Sequence, residues 1–219
     1  MRRLSGRLAQ PSRGRHELNA LPRPSTARGE ATRRKLLTAA EIEFGQNGYV
    51  ATAVSDITKR SGVAQGTFYL YFPSKIDVLR ELVRDMGRQL RHALSEGTAG
   101  ATDRLSVERL GLEAFIAFSL SHQNLYKVVM ESQFVDETIY REYYQTLADA
   151  YTVNLERAQA TGDVRQGNAS AQAWSLMGVA HFLGLRYAIW RHEAPPQEIF
   201  DATFELIANG LAPDPGGGA

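Results

Sequence analysis

Val54-Ser55-Asp56-Ile57-Thr58-Lys59-Arg60-Ser61-Gly62-Val63-Ala64-Gln65-Gly66-Thr67-Phe68-Tyr69-Leu70-Tyr71-Phe72 is the stretch on which the fold turns. Two short helical runs, Val54–Arg60 and Gln65–Tyr71, flank Ser61-Gly62. A glycine-containing turn between two short helices is helix-turn-helix punctuation. Gly62 stands where a tight turn needs positive φ, a conformation cheap only for glycine. Val54, Ile57, Val63 and Phe68 are spaced to share a small core with a preceding helix. The second run is too short to persist alone, so its neighbours must hold it.

Outward from this motif the chain reads as helix after helix. Upstream, Leu36, Leu37, Ala40 and Phe44 lie on one face of a helix over Glu30–Gln46, stopped by Asn47-Gly48. Downstream, Ser74 is an N-cap candidate with Asp77 at the third helical position, the pattern of a capping box. That helix continues through Leu79, Leu82, Val83 and Met86 to Leu94, and Glu96–Asp103 reads as a loop. Periodicity predicts further helices at Leu105–Ser121, Asn124–Met130, Asp136–Ala160, Asn168–Arg191 and Pro196–Gly210. Gly162 closes the seventh helix, and Pro196 suits the first turn of the last. No sustained period-2 run and no internal repeat interrupts the pattern. The expectation is an all-α protein of about nine helices. An N-terminal three-helix unit (29–75) joins a larger helical domain (76–212) at a boundary inside the fourth helix. Residues 1–28, rich in Arg, Ser, Pro and Gly, read as a disordered basic arm, and 213–219 as a flexible tail.

Charge is divided along the chain. Residues 1–75 carry 13 Lys and Arg against 5 Asp and Glu, a net of +8; residues 76–219 carry 12 against 19, a net of −7. A basic end on an acidic body suits contact with a polyanion, and a solvated basic tail gives the same count. The arm's arginines (Arg2, Arg3, Arg7, Arg13, Arg15, Arg23, Arg28) could enter a minor groove or add only nonspecific attraction. With 43% apolar and 22% charged residues the chain has an ordinary globular balance. There is no cysteine, hence no disulfide or thiolate site. No run approaches the roughly 18 to 20 apolar residues of a membrane helix, and the N-terminus lacks the apolar core of a secretory signal. These features point to a cytoplasmic protein with no membrane partner. The five histidines form no i, i+4 ligand pair, and neither a Gly-x-Ser-x-Gly elbow nor a P-loop occurs. We therefore expect no catalytic residues, metal or cofactor. A helical adaptor or an enzyme would leave the helix-turn-helix stretch without a purpose.

Residues 30–80 resemble the DNA-binding domain of the TetR (tetracycline-repressor-like) family of transcriptional regulators. The resemblance rests on Phe44-Gly45-Gln46-Asn47-Gly48-Tyr49, Ala51-Thr52, Ile57, Gly62-Val63 and Gly66-Thr67-Phe68-Tyr69-Leu70-Tyr71-Phe72-Pro73-Ser74-Lys75. It implies that Gln65, Gly66, Thr67 and Leu70 face the major groove and that Tyr69 and Tyr71 touch phosphates or base edges. Thr52 and Lys75 would hold the DNA backbone. The chemistry agrees: Gln pairs bidentately with adenine, and a Thr methyl meets a thymine methyl. The family often has Lys or Arg at position 65, so Gln65 suits base reading better than a phosphate. Arg33, with Arg34 and Lys35, is either a phosphate contact near the first helix's N-terminus or a solvated run. Phe68 and Phe72, four apart on one face, read as core. The Tyr69 hydroxyl favours a wet boundary.

In the larger domain, the eighth helix is apolar nearly all round, with Trp174, Leu176, Met177, Val179, Phe182, Leu185, Tyr187 and Trp190. Such a helix needs cover on every side. Together with the Phe200, Phe204, Ile207, Leu211 stripe of the ninth, it suits a two-fold four-helix interface, which the family also uses. A homodimer would set two recognition helices on a palindromic operator in double-stranded DNA. Phe115, Phe118, Tyr126, Met130, Tyr144, Tyr151, Trp174 and Met177 are candidates to line an apolar pocket for a small-molecule effector, or are plain core. His181 and Arg186 either meet the ligand or pair with buried carboxylates. The run from Leu125-Tyr126-Lys127 to Phe134-Val135-Asp136, with Tyr140 and Tyr143-Tyr144, resembles a subgroup tied to acyl-CoA or aromatic-acid metabolism. The resemblance thus implies a ligand-responsive repressor, with an activator as the alternative.

Overall fold

The computed structural model describes residues 24–212. The expected arm up to residue 23 and the tail 213–219 lie outside the described residues. Nine α-helices and no strand occur among the described residues. The helices are α1 (Ala27–Asn47), α2 (Val54–Ser61), α3 (Gln65–Tyr71), α4 (Lys75–Gly97), α5 (Arg104–Ser121), α6 (Gln123–Val135), α7 (Glu137–Thr161), α8 (Ala169–Gly184) and α9 (Gln197–Leu211). None among the described residues is long and apolar enough to cross a membrane.

Local chemistry sets the ends. Thr26 caps α1 by accepting from the Gly29 N–H at 3.1 Å. Asp56 reaches back to the Ala53 N–H at 2.8 Å and opens α2. Gly62 ends α2 in the left-handed conformation, φ 67°, as the turn demanded. Gly162 ends α7 in the same way. At α4 the expected capping box is corrected: the Ser74 hydroxyl donates to the Asp77 carboxylate at 2.6 Å rather than capping a backbone N–H.

One apolar cluster runs from the helix-turn-helix into the body. Leu36, Phe44, Ile57, Phe68 and Phe72 pack with Val78, Leu79, Leu82 and Met86 of α4, and these with Val128, Val129 and Tyr143 of α6 and α7. Each large side chain so buried contributes about 1.5–3 kcal/mol. α4 is thus the shared wall between the three-helix unit and the body. A second cluster joins Leu112, Leu155, Ala173, Phe200 and Ile207.

Three elements differ from the sequence expectation, the first being α1, which begins at Ala27, so that Ala27 and Arg28 are helical rather than part of a disordered arm. α6 runs on to Val135 instead of stopping near Met130. The polar Glu131-Ser132-Gln133 masked the periodicity, yet Ser132 is fully buried and donates to the Val129 carbonyl at 2.6 Å. The long eighth helix changes at Gly184 to a π-helical segment, Leu185–Arg191, which ends at His192 with φ 57°. A run that is apolar all round has no phase to distinguish 3.6-residue from wider winding.

At Gly45, α1 lies tightly against α6. A Cβ there would stand 2.5 Å from Asn124 Cβ. Gly45→Ala is expected to force the two helices apart and destabilise the protein by about 1–3 kcal/mol. Urea unfolding measures this, and an unchanged midpoint would show that the contact carries no strain.

Candidate nucleic-acid interface and ligand cavity

The second helix of the helix-turn-helix is α3. Phe68 is completely buried, with the Phe72 ring 5.8 Å away, and this pair pins the helix against α1 and α4. Gln65, Gly66, Tyr69 and Leu70 therefore face outward, with Tyr69 half-exposed and Leu70 82% exposed. Thr67 and Tyr71 are partly buried at the flanks of this face. Arg28, Arg34, Lys35 and Lys59 are exposed, a cationic set suited to phosphate attraction.

Three expected DNA contacts are corrected. Arg33 is buried, its guanidinium 3.0 Å from the Glu81 carboxylate and 5.4 Å above the Phe72 ring. Arg88 shares the same Glu81 oxygen at 3.0 Å. Arg33 thus ties α1 to α4 and is not available to phosphate. Lys75 donates to the carbonyls of Tyr49 and Thr52, both at 2.7 Å, and its ammonium lies 4.2 Å over the Tyr49 ring. Thr52 is buried, and its hydroxyl donates to the Gly48 carbonyl at 2.8 Å. Both side chains hold the α1–α2 loop. The sequence reading also missed Glu131, whose two oxygens accept the Tyr49 N–H at 2.8 Å each. A carboxylate 82 residues away in the chain leaves no local signal.

Behind α4 lies a cavity of about 430 Å³, within the usual range of small-molecule sites, about 300–1,000 Å³. Phe115, Tyr126, Met130, Tyr144, Tyr151, Met177 and His181 all line it. Three other candidates do not. Phe118 is buried away from it, stacked on His122 at 4.1 Å. Trp174 turns outward and is 43% exposed. Arg186 is exposed and lies over the Tyr187 ring at 5.2 Å. A stripe on a helix that is apolar all round does not say which side faces inward.

Polar groups in the wall are few. The Tyr126 hydroxyl donates to the His181 carbonyl at 2.9 Å and sits 3.0 Å from its Nδ1. The Tyr144 hydroxyl is 3.3 Å from the same nitrogen. Burial lowers the His181 pKa and pushes the Tyr126 and Tyr144 phenols upward, so all three groups are neutral near pH 7. Elsewhere Glu108 is paired with Arg104 and accepts from Tyr151. Burial, then Glu108, raise the Tyr151 phenol. No group of three or more metal-ligating side chains gathers among the described residues.

A three-helix helix-turn-helix unit shares a wall with a larger helical body. The family model for bacterial regulatory proteins of the tetR family matches residues 36–82. A helix-turn-helix-type transcriptional regulator of Bacillus subtilis, YdgC, is 40% identical over 65 residues, 30% of this chain and 33% of that protein. The fatty acid metabolism regulator protein of Bacillus subtilis is 37% identical over 87 residues, 39% of this chain and 43% of that one. The matched stretch thus spans less than half of either relative. The crystal structure of the transcriptional regulator FadR from Bacillus subtilis in complex with stearoyl-CoA superposes with a TM-score of 0.71 at 20% identity, covering 81% of this chain and 98% of that one. Residues 36–82 thus carry a DNA-binding domain of the tetR-family type, and the whole chain shares the fold of that regulator.

The geometry assigns Lys75 to the loop. Lys75→Met removes two hydrogen bonds from a charged donor and is expected to cost about 2–3 kcal/mol in unfolding free energy. The slope of DNA affinity against salt should stay that of the native protein, because no phosphate contact is lost. A shallower slope at unchanged stability would return Lys75 to the DNA backbone.

Proposed function

We propose that this protein is a cytoplasmic, ligand-responsive repressor that binds a palindromic operator as a homodimer and is released when an apolar acyl or aromatic effector fills the cavity behind α4. Residues 29–75 form the DNA-binding unit and 76–212 the sensing and dimerisation unit. The observation that carries the reading is the outward face of α3, where Gln65, Tyr69 and Leu70 stand exposed over the fully buried Phe68. Gln65 and Thr67 suit base edges, and Tyr69 and Tyr71 suit phosphates.

Exposed apolar side chains support the dimer. Phe182 and Trp190, on α8 and its π-helical continuation, and Leu206 on α9 are each at least 67% exposed. A monomer would leave this surface in water, and a two-fold partner covers it. Such a partner sets the two α3 helices about 34–36 Å apart, one turn of DNA. Effector binding acts through α4, which lines the cavity with Met86, Leu90 and Leu94 and holds the DNA-binding unit through Glu81 and Lys75. A coupling of about 1–3 kcal/mol suffices. The acyl class, including an acyl-CoA, is favoured by the cavity's apolar wall and by the likeness to a fatty acid metabolism regulator and to a regulator bound to stearoyl-CoA.

Selection of genomic fragments by the purified protein at physiological salt, followed by sequencing, tests the reading. A recovered palindrome is expected, and purely salt-labile, sequence-independent binding would overturn it. On that site Gln65→Ala and Tyr69→Ala should each weaken affinity by about 1–3 kcal/mol. Light scattering should report a dimer for the native chain and a monomer for the double variant Phe182→Glu, Leu206→Glu. A double variant that stays dimeric would move the interface elsewhere.

A further inference from the structure

The cavity wall carries an uneven charge. Three of its side chains are ionic: Arg91, Arg104 and Glu108. Arg104 and Glu108 neutralise one another, and Tyr151 adds its hydroxyl to the same carboxylate. Arg91 is different. It lies on α4, partly buried, and no carboxylate or hydrogen-bond acceptor among the described residues pairs with it. A guanidinium stays charged at any physiological pH and offers five donors in a planar fork. Partly buried beside an apolar wall and not paired within the protein, its fork of donors is open to an acceptor entering the cavity.

The placement of that guanidinium is built into α4. Gly87, one turn earlier, is buried in the middle of the helix. A Cβ there would stand 3.2 Å from Arg91 Nη1 and 3.4 Å from the Tyr143 ring. A glycine inside a helix costs about 0.5–1 kcal/mol relative to alanine, and here it makes room for Arg91 to fold back beside Tyr143. The positive charge of Arg91 in turn pulls against the burial that raises the Tyr143 phenol. The wall therefore holds one cation in excess, next to a roomy apolar space.

Resting on the reading of this cavity as the effector site, we infer that Arg91 is the anchor for a single carboxylate, and that the effector is an amphipathic monocarboxylic acid whose apolar body lies among Leu90, Leu94, Phe115 and Met130. A fork of donors matches a carboxylate in two parallel hydrogen bonds. The anchor stands on α4, the helix that carries Glu81 and Lys75, so an anion drawn to Arg91 acts directly on the element that positions α3.

Calorimetric titration of the full-length protein with decanoate, decanol and decanoyl-CoA separates the alternatives, since the three share an acyl-length chain and differ in the head. Decanoate should bind at least about tenfold more tightly than decanol, the worth of one charge-assisted pair. Arg91→Gln should remove that preference, and Arg91→Lys should restore part of it. Equal affinity of the native protein for decanoate and decanol overturns the anchor while the apolar effector site stands. Tight binding of decanoyl-CoA without binding of decanoate overturns the single carboxylate. Binding of none of the three overturns the effector reading together with this inference. The native preference decides even if a variant fails to fold.

Discussion

A seven-residue helix cannot sustain itself in water, because nucleation fixes several residues before propagation can repay the cost. α3 is such a helix. It exists because Phe68 and, just beyond its end, Phe72 are removed entirely from solvent between α1 and α4. That burial decides the rest. With one face of α3 pinned inward, Gln65, Tyr69 and Leu70 have only the outside left to them. The rigidity of this outer face is borrowed from the core beneath it.

Around this apolar anchor, polar ties join the helix-turn-helix to the body. Lys75 and Glu131 grip the α1–α2 loop from α4 and α6, one taking the Tyr49 carbonyl and the other its N–H. Arg33 and Arg88 converge on Glu81. A buried pair of this kind is poor at adding stability and costly to break. It is therefore suited to fixing register between elements that are already packed. The same α4 lines the cavity, so a change in its position cannot be confined to one side.

The cavity combines apolar breadth with a small polar inventory. Tyr126, Tyr144 and His181 form a neutral cluster, and Arg104, Glu108 and Tyr151 a closed ionic one. Arg91 alone among the ionic wall groups has no ionic partner among the described residues. Under the proposed reading, such a site selects by shape and by one charge.

Much of this was legible in the residues themselves. Periodicity placed the helices, Gly62 the turn and its positive φ, and the spacing of Phe68 and Phe72 the buried face of α3. Local pattern suffices for these because helix phase and turn sterics act over three or four residues. The partners of charged side chains were not legible. Arg33, Thr52 and Lys75 look like phosphate contacts in a line of text, and folding turns each of them to another task inside the protein. Nor could an all-round apolar helix say that Met177 and His181 face the cavity while Trp174 and Arg186 face out. By itself the sequence determined which segments are helices and which of them read as a helix-turn-helix. Only the tertiary structure decided which ions pair, which face of α8 turns inward, and that Arg91 enters the cavity unmatched, because long-range pairing depends on elements brought together across up to 82 residues of chain.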